Sequence, residues 1–153
     1  MKYLLSFAIL FACSTDIFAQ KLDTAAVLAP IHQLFEGMMQ KDSNIIKQVF
    51  HPDAQLATTY TDSLGQNHLQ RQPIQEFITS IGNIPQSVQL EERLLDYEVL
   101  VDAPMATVWT PYEFYVNENF SHCGVNAFTL FLSENGWKIA NIIDTRRREG
   151  CQD

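Results

Sequence analysis

The stretch "FSHCGVNAFTLFLSENGWKIANIIDT", residues 120–145, contains two long apolar-rich runs on either side of Asn135-Gly136. Asn-Gly between two such runs is the strongest short-range sign of a β-hairpin. We therefore predict two antiparallel strands, Phe120–Leu132 and Trp137–Arg147, joined by a turn whose central residues are Asn135 and Gly136. This hairpin is the centre of the predicted fold.

The position of the turn determines which side chains share a face of the sheet. A turn centred on Asn135-Gly136 pairs Phe128 with Ile143, and a preceding turn centred on Glu118-Asn119 places Trp109 opposite Phe128. If the preceding hairpin slips by one residue, Phe114 replaces Tyr115 and Val108 replaces Trp109 on this face. The predicted face has an apolar part and a polar end. The apolar part comprises Trp109, Phe128, Leu130, Trp137, Ile139 and Ile143. The polar end comprises Tyr115, His122, Asn126 and Thr145.

His122 and Cys123 are adjacent, and adjacent residues of a strand point to opposite faces. The two side chains therefore cannot readily share a metal ion or act as base and nucleophile. Cys123 is expected to form a disulfide with Cys151; the alternatives are two free thiols or a catalytic cysteine. Asp144 and Arg146 are expected on the Cys123 face, as an ion pair at the surface or a subunit interface. The alternative is an anion-binding Arg146 at a cavity mouth.

The rest of the chain predicts helices first and strands afterwards. Apolar residues at helical spacing, from Leu28 to Met38, indicate a first helix. The further predicted elements are a short helix over 44–50, strands over 54–60 and 66–70, a helix over 73–81, and strands over 88–101 and 105–116. This order is typical of an α+β fold, in which helices pack on one face of a curved antiparallel sheet.

The first 20 residues have the features of a secretory signal peptide, with Lys2, an apolar segment and the small residue Ala19. Its removal leaves a single domain over residues 21–153, and the protein is expected to be secreted or periplasmic. The alternative is a lipoprotein anchored through Cys13, which ends the sequence "LFAC". No other stretch has the ~18 apolar residues of a membrane span.

The formal charge of −8 argues against a nucleic-acid partner, because binding phosphates requires a basic surface. The sequence contains no HExxH or CxxC motif and no glycine-rich phosphate loop. We therefore expect neither a metal site nor a cofactor.

The order of elements, with "FSHCGVNAFTLFL" followed by "GWKIANIIDTRRREGC", resembles the nuclear transport factor 2-like superfamily. Within it, the chain is similar to the secreted bacterial branch described as lumazine-binding or SnoaL-like. The resemblance implies a cone-shaped antiparallel sheet with the N-terminal helices on its concave face, and a homodimer formed across the sheet. Relatives include ketosteroid isomerases, dehydratases, polyketide cyclases and non-catalytic binding domains, so the resemblance does not transfer an activity.

The polar end of the predicted face is the candidate site. The expected lining residues are Trp109, Tyr112, Tyr115, His122 and Asn126 from the sheet, and Phe35 and Met38 from the first helix. The first hypothesis is a small-molecule-binding domain whose ligand is apolar or aromatic. The second is a small lyase, isomerase or cyclase with His122 as general base, which would need a carboxylate such as Glu113 or Asp53 nearby. The third is a non-catalytic assembly domain, in which Trp109, Phe128 and the side chains of the first helix fill the cavity.

Overall fold

The computed structural model describes residues 24–102 and 104–151. The predicted signal peptide, residues 1–20, and the alternative lipid anchor at Cys13 lie outside these ranges. The elements follow the predicted order of two helices, a pair of strands, a third helix and then the remaining strands. They are α1 Thr24–Gln40, α2 Ser43–Val49, β1 Phe50–Thr61, β2 Asn67–Pro73, α3 Ile74–Gly82, β3 Leu90–Leu94, β4 Glu98–Asp102, β5 Met105–Val116, β6 Asn119–Ser133 and β7 Gly136–Thr145.

The strands form one curved sheet in the order β2-β1-β7-β6-β5-β3, with β4 also paired to β5. The α+β prediction is confirmed, with two refinements. The strand expected over residues 88–101 is divided into β3 and β4, which both pair with β5. The sheet is also mixed, because β1 runs parallel to β7 while the other pairs are antiparallel.

The helices cover one face of this sheet and form the core with it. Val27, Ile31 and Leu34 on α1 are buried because they recur every three or four residues and so face the same side of the helix. Asp42 caps α2 by accepting hydrogen bonds from the backbone N–H groups of Asn44 and Ile45. The sheet contributes further fully buried large side chains, among them Val108, Phe128, Leu130 and Ile139.

The β6–β7 hairpin has a different register from the predicted one. Glu134 and Asn135 are the central residues of its turn, and Gly136 follows them with a φ of 91°. A glycine with positive φ after a turn is the other common hairpin arrangement, and the Asn-Gly pattern does not distinguish the two. A bulge between Thr129 and Leu130 then shifts the strands once more, so that Phe128 pairs with Ile142.

The β5–β6 hairpin also differs by one residue. Asn117 and Glu118 form the turn, with φ values of 52° and 64°. A bulge at Ser121 shifts the strands once more, so that Phe128 pairs with Val108 and not with Trp109. The predictions that Trp109 and Tyr115 lie on the same face as Phe128 are wrong. Because a slip of one residue reverses every side chain of a strand, Trp109 lies on the outer face and is 52% exposed.

Cys123 and Cys151 form a disulfide bond, as the sequence predicts. Cys123 lies on the outer face of β6 and is buried, because the segment after β7 folds back over it. Cys123 and Arg147 exchange two backbone hydrogen bonds of 2.9 and 3.0 Å, which align this segment with β6. The disulfide therefore fixes the C-terminal segment to the middle of the sheet.

Candidate functional site

A cavity of about 340 Å³ lies between the sheet and helices α1 and α3. Its apolar wall comes from both helices and from the sheet, and comprises Leu34, Phe35, Met38, Leu56, Phe77, Ile81, Ile84, Leu90, Phe114, Phe128 and Ile142. Its polar wall comprises Gln72, Ser80, Glu92, Tyr112, His122, Asn126, Asp144 and Arg146. An apolar cavity with a few convergent polar groups is the usual form of a small-molecule site.

Five of the seven predicted ligand-binding residues line this cavity. They are Phe35, Met38, Tyr112, His122 and Asn126. Trp109 and Tyr115 do not, because the shifted β5–β6 register turns both to the outer face, where the Tyr115 hydroxyl donates to Glu113. The two carboxylates suggested for catalysis are also elsewhere. Glu113 lies beside Tyr115, and the Asp53 side chain is almost fully exposed.

Two carboxylates of the cavity, Glu92 and Asp144, are not among the predicted site residues. The prediction that Asp144 lies on the Cys123 face is wrong, because β7 pairs Asp144 with Asn126 on the inner face. Its predicted ion pair with Arg146 does form, at 3.0 Å. Glu92 carries a sequence signal that could have revealed it. Glu92 lies between Leu90 and Leu94 on the same face of β3. A lone charged residue on an otherwise apolar face is typical of a functional site.

Asp144 is only 8% exposed and accepts hydrogen bonds from three side chains. The Thr58 hydroxyl donates to Oδ1 at 2.6 Å, and the Arg146 Nε–H donates to Oδ2 at 3.0 Å. The Tyr112 hydroxyl lies 3.3 Å from Oδ2 and 3.0 Å from the backbone carbonyl of Thr145. These donors compensate the cost of burying the carboxylate, and the carboxylate in turn holds Arg146 at the mouth of the cavity.

Gly124 makes the contact between Tyr112 and Asp144 possible. Tyr112 on β5 pairs with Gly124 on β6, and its ring reaches over that strand to β7. A Cβ on Gly124 would lie 2.9 Å from Tyr112 Cε1 and would overlap the Thr145 carbonyl oxygen. The glycine in "HCGV" is therefore a packing requirement of the polar wall. Burial, reinforced by the negative charge of Asp144, raises the pKa of Tyr112 above its usual value.

Glu92 is the second carboxyl group of the cavity. Its Oε1 accepts a hydrogen bond of 2.7 Å from the Asn126 side-chain amide. Burial, opposed by that hydrogen bond and supported by the nearby Asp144 charge, raises the pKa of Glu92 to about 8. Its Oε2 makes no hydrogen bond to the described residues, and none of their buried side-chain oxygens or nitrogens lacks a partner. Oε2 therefore borders the open space of the cavity. Glu92 carries a proton at neutral pH that it can donate to a ligand.

His122 on β6 also lines the cavity. Its ring packs against Phe114, at 5.0 Å between centroids, and edge-on against Tyr112, at 5.8 Å. Its Nδ1 lies 3.0 Å from the Ser121 hydroxyl, and Nε2 has no hydrogen-bond partner among the described residues. Burial, together with the positive charge of Arg146, lowers the pKa of His122 below its usual value. The imidazole is therefore neutral at pH 7 and has one nitrogen available to a ligand.

The residues that the structure describes contain no cluster of three or more His, Cys, Asp or Glu side chains suited to holding a metal ion. No helix within residues 24–102 and 104–151 combines the length and hydropathy that crossing a membrane requires.

Residues 22–143 match the family described as "Putative lumazine-binding". The chain belongs to this family. The match ends at Ile143, so Asp144, Arg146 and Cys151 lie beyond the matched range. No curated protein matches the sequence.

The fold is similar to that of many solved structures. An NTF2-like protein of unknown function from Shewanella baltica has 16% identity and a TM-score of 0.57, with 82% of this chain and 94% of that one covered. A protein with a cystatin-like fold from Nostoc punctiforme has 10% identity and a TM-score of 0.65, covering 84% and 94%. A "putative dehydratase from the NTF2-like family" of Streptomyces avermitilis has 15% identity and a TM-score of 0.63, covering 82% and 96%. At these identities the similarity establishes the fold alone.

Proposed function

We propose that this protein binds a small, uncharged and partly apolar molecule in the cavity between α1, α3 and the sheet. The observation that carries the proposal is that the cavity combines a mainly apolar lining with a small set of polar side chains. The apolar wall supplies binding energy by burial, and the polar wall supplies orientation.

The charges of the cavity favour an uncharged ligand. The Asp144 carboxylate is paired with the Arg146 guanidinium, and both Glu92 and His122 are neutral at pH 7. A cavity of 340 Å³ is near the lower end of the range for ligand sites, so the ligand is expected to be compact. A flat fused-ring heterocycle, the class to which lumazine belongs, has these properties and agrees with the family description.

The test is a binding screen with lumazine, related pteridines and small aromatic ketones. Melting temperature identifies compounds that bind the folded protein, and calorimetry gives their affinity. We expect His122→Ala to weaken a ligand at least tenfold, because it removes one polar contact and part of the cavity wall. His68→Ala is the matched control, because His68 lies on the surface beside Asp62. Equal weakening by both substitutions, or no binding by any compound, would contradict the proposal.

A second candidate is a small lyase, isomerase or cyclase that uses His122 as general base. His122 lines the cavity and its Nε2 has no hydrogen-bond partner among the described residues, which favours this candidate. One solved structure of the same fold is described as a "putative dehydratase". In this candidate the required carboxyl group is Glu92, because neither Glu113 nor Asp53 lines the cavity. A purely assembling role has less support, because it predicts that side chains such as Trp109 fill the cavity.

We further propose that the outer face of the sheet forms a homodimer. Trp109, Ala127 and Ile143 lie in one cross-strand row on that face, and both Trp109 and Ile143 are exposed. Exposed apolar rows of this kind are typical of interfaces. Light scattering should find a dimer for the wild type and a monomer for Trp109→Glu. A monomeric wild type at micromolar concentration would exclude the interface.

We also propose that the protein is secreted into an oxidising compartment. The Cys123–Cys151 disulfide supports this proposal, because such bonds are rare in a reducing cytosol.

A further inference from the structure

Glu92 and His122 lie opposite one another across the cavity face of the sheet. Glu92 on β3 pairs with Phe114 on β5, and Phe114 pairs with His122 on β6. Paired residues share a face, so the two titratable side chains stand on either side of the Phe114 ring. Two strand spacings separate their backbones by roughly 10 Å, which leaves room for a small molecule above Phe114.

The two groups have complementary proton states. Glu92 is a neutral acid whose Oε1 is held by Asn126, and its free Oε2 borders the cavity. When His122 Nδ1 donates its proton to the Ser121 hydroxyl, Nε2 presents an unshared electron pair. Two titratable groups whose environments push their pKa values apart in this way are suited to act as acid and base.

Asp144, the other carboxyl group of the cavity, is less available to a substrate than Glu92 is. Both oxygens of Asp144 accept hydrogen bonds, from Thr58, Tyr112 and Arg146. A carboxylate with this many donors has a structural role, because abstracting a proton would require it to give up hydrogen bonds. Glu92 and His122 are therefore the pair that can face a substrate.

We propose that Glu92 and His122 catalyse proton transfer between carbon and oxygen in a small, partly apolar carbonyl compound, with Glu92 as the acid at the carbonyl oxygen and His122 as the base at the adjacent carbon. This inference rests on the proposed function, since the same cavity must first bind the compound. It names the substrate class, which is a ketone or related carbonyl compound with a hydrogen on the α-carbon.

The step is balanced without any further reactant. His122 Nε2 takes the α-proton, and the C–H electron pair forms a carbon–carbon double bond. The π pair of the carbonyl moves to its oxygen, which takes the proton from Glu92 and gives an enol. His122 is then an imidazolium and Glu92 a carboxylate. The imidazolium proton exchanges with solvent, and reversal then returns a solvent-derived hydrogen to the carbon and restores both groups, so that in D₂O the α-hydrogen is replaced by deuterium.

Deuterium exchange tests the step before the natural substrate is known. Acetophenone, 1-indanone and 2-tetralone are incubated with the protein in D₂O, and the loss of their α-proton NMR signals is followed. Binding of each ketone is measured separately by calorimetry. We expect exchange faster than in buffer, in proportion to protein concentration, for at least one ketone that binds. It should fall at least tenfold in His122→Gln and in Glu92→Ala.

Conservative and matched variants separate a chemical role from a structural one. Glu92→Gln keeps an acceptor for Asn126 but has no acidic proton, so it should bind the ketone and exchange it slowly. His68→Gln and Glu113→Gln, both outside the cavity, should exchange as fast as wild type. The wild-type rate should fall at high pH as Glu92 ionises and at low pH as His122 is protonated. Asp144, Arg146 and Arg148 are the charged groups that act on this pair, and Tyr112 also faces it.

Three results would overturn the inference. Ketone binding without exchange would leave the binding function standing and exclude this chemistry. Exchange that persists in folded His122→Gln and Glu92→Ala would assign it to other groups. If no ketone binds, the carbonyl class is wrong, and the screen with pteridines decides separately whether the cavity is a binding site.

Discussion

His122 and Cys123 are neighbours in the sequence and occupy opposite sides of the sheet. His122 borders the cavity, and one of its ring nitrogens has no hydrogen-bond partner within residues 24–102 and 104–151, while Cys123 is buried on the outer face in a disulfide with Cys151. The inner side chain is thus available for chemistry, and the outer one secures the C-terminal segment. The comparison shows that one strand can separate reactivity from stability within two consecutive residues, because its side chains alternate.

Gly124, the next residue, is closely packed on the inner face. The Tyr112 ring crosses above it on the inner face, and the Thr145 carbonyl approaches it closely. Substitutions at Gly124, at the disulfide and at Glu92 therefore test how independent the two faces are.

The largest effect is expected for Gly124→Ala. The added Cβ would overlap the Thr145 carbonyl oxygen and lie 2.8 Å from the Thr145 carbonyl carbon, and backbone atoms cannot rotate away. We expect the free energy of unfolding, measured with urea, to fall by about 3 kcal/mol or more. In Gly82→Ala, the control, the added Cβ meets only the Ser43 side chain, which can rotate, so the change should stay within about 1 kcal/mol. A loss within about 1 kcal/mol in Gly124→Ala would show that the Thr145 carbonyl does not constrain this position.

The second effect concerns the outer face alone. Replacing both Cys123 and Cys151 by Ala opens a loop with a sequence separation of 28, and should reduce the free energy of unfolding by about 3 kcal/mol. Affinity for a cavity ligand should change by less than about threefold, because the disulfide lies on the other face. A large loss of affinity in the folded variant would show that the C-terminal segment also positions Arg146, and the two faces would then be coupled.

The third effect concerns the inner face and depends on pH. Because the pKa of Glu92 is raised from 4.5 in the unfolded chain to about 8, its contribution to stability is complete below pH 4.5 and is lost as the pH rises to 8. Glu92→Gln lacks this loss and still accepts from Asn126. The difference in unfolding free energy between Glu92→Gln and wild type should therefore shift in favour of the variant by about 2 kcal/mol or more between pH 4.5 and 8.5. Glu113→Gln provides the baseline. A constant difference would mean that Glu92 is ionised at neutral pH.

Local sequence patterns were sufficient for the order of the elements and for much of the site. The alternation in "SHCG" placed His122 and Cys123 on opposite faces, and the helical spacing of Phe35 and Met38 directed them to the cavity. The patterns failed at Trp109, Tyr115 and Asp144, and each failure follows from register. The register is set by turns that are displaced by one residue and by bulges near Ser121 and Ala140. The alternative turns are too similar in energy for the turn residues to show which of them forms.

The sequence by itself determined the α+β class and the period-two separation of His122 from Cys123, because these depend on local periodicity. It also predicted the disulfide partner, because Cys123 and Cys151 are the two cysteines outside the predicted signal peptide. Only the tertiary structure brought Glu92 to Asn126, Tyr112 to Asp144 and the Thr145 carbonyl to Gly124. Those contacts join residues 21 to 34 positions apart, across strands whose alignment follows from the packing of the whole sheet. A local pattern can show that a carboxylate faces inward, but the packed core decides what it meets and therefore whether it keeps its proton.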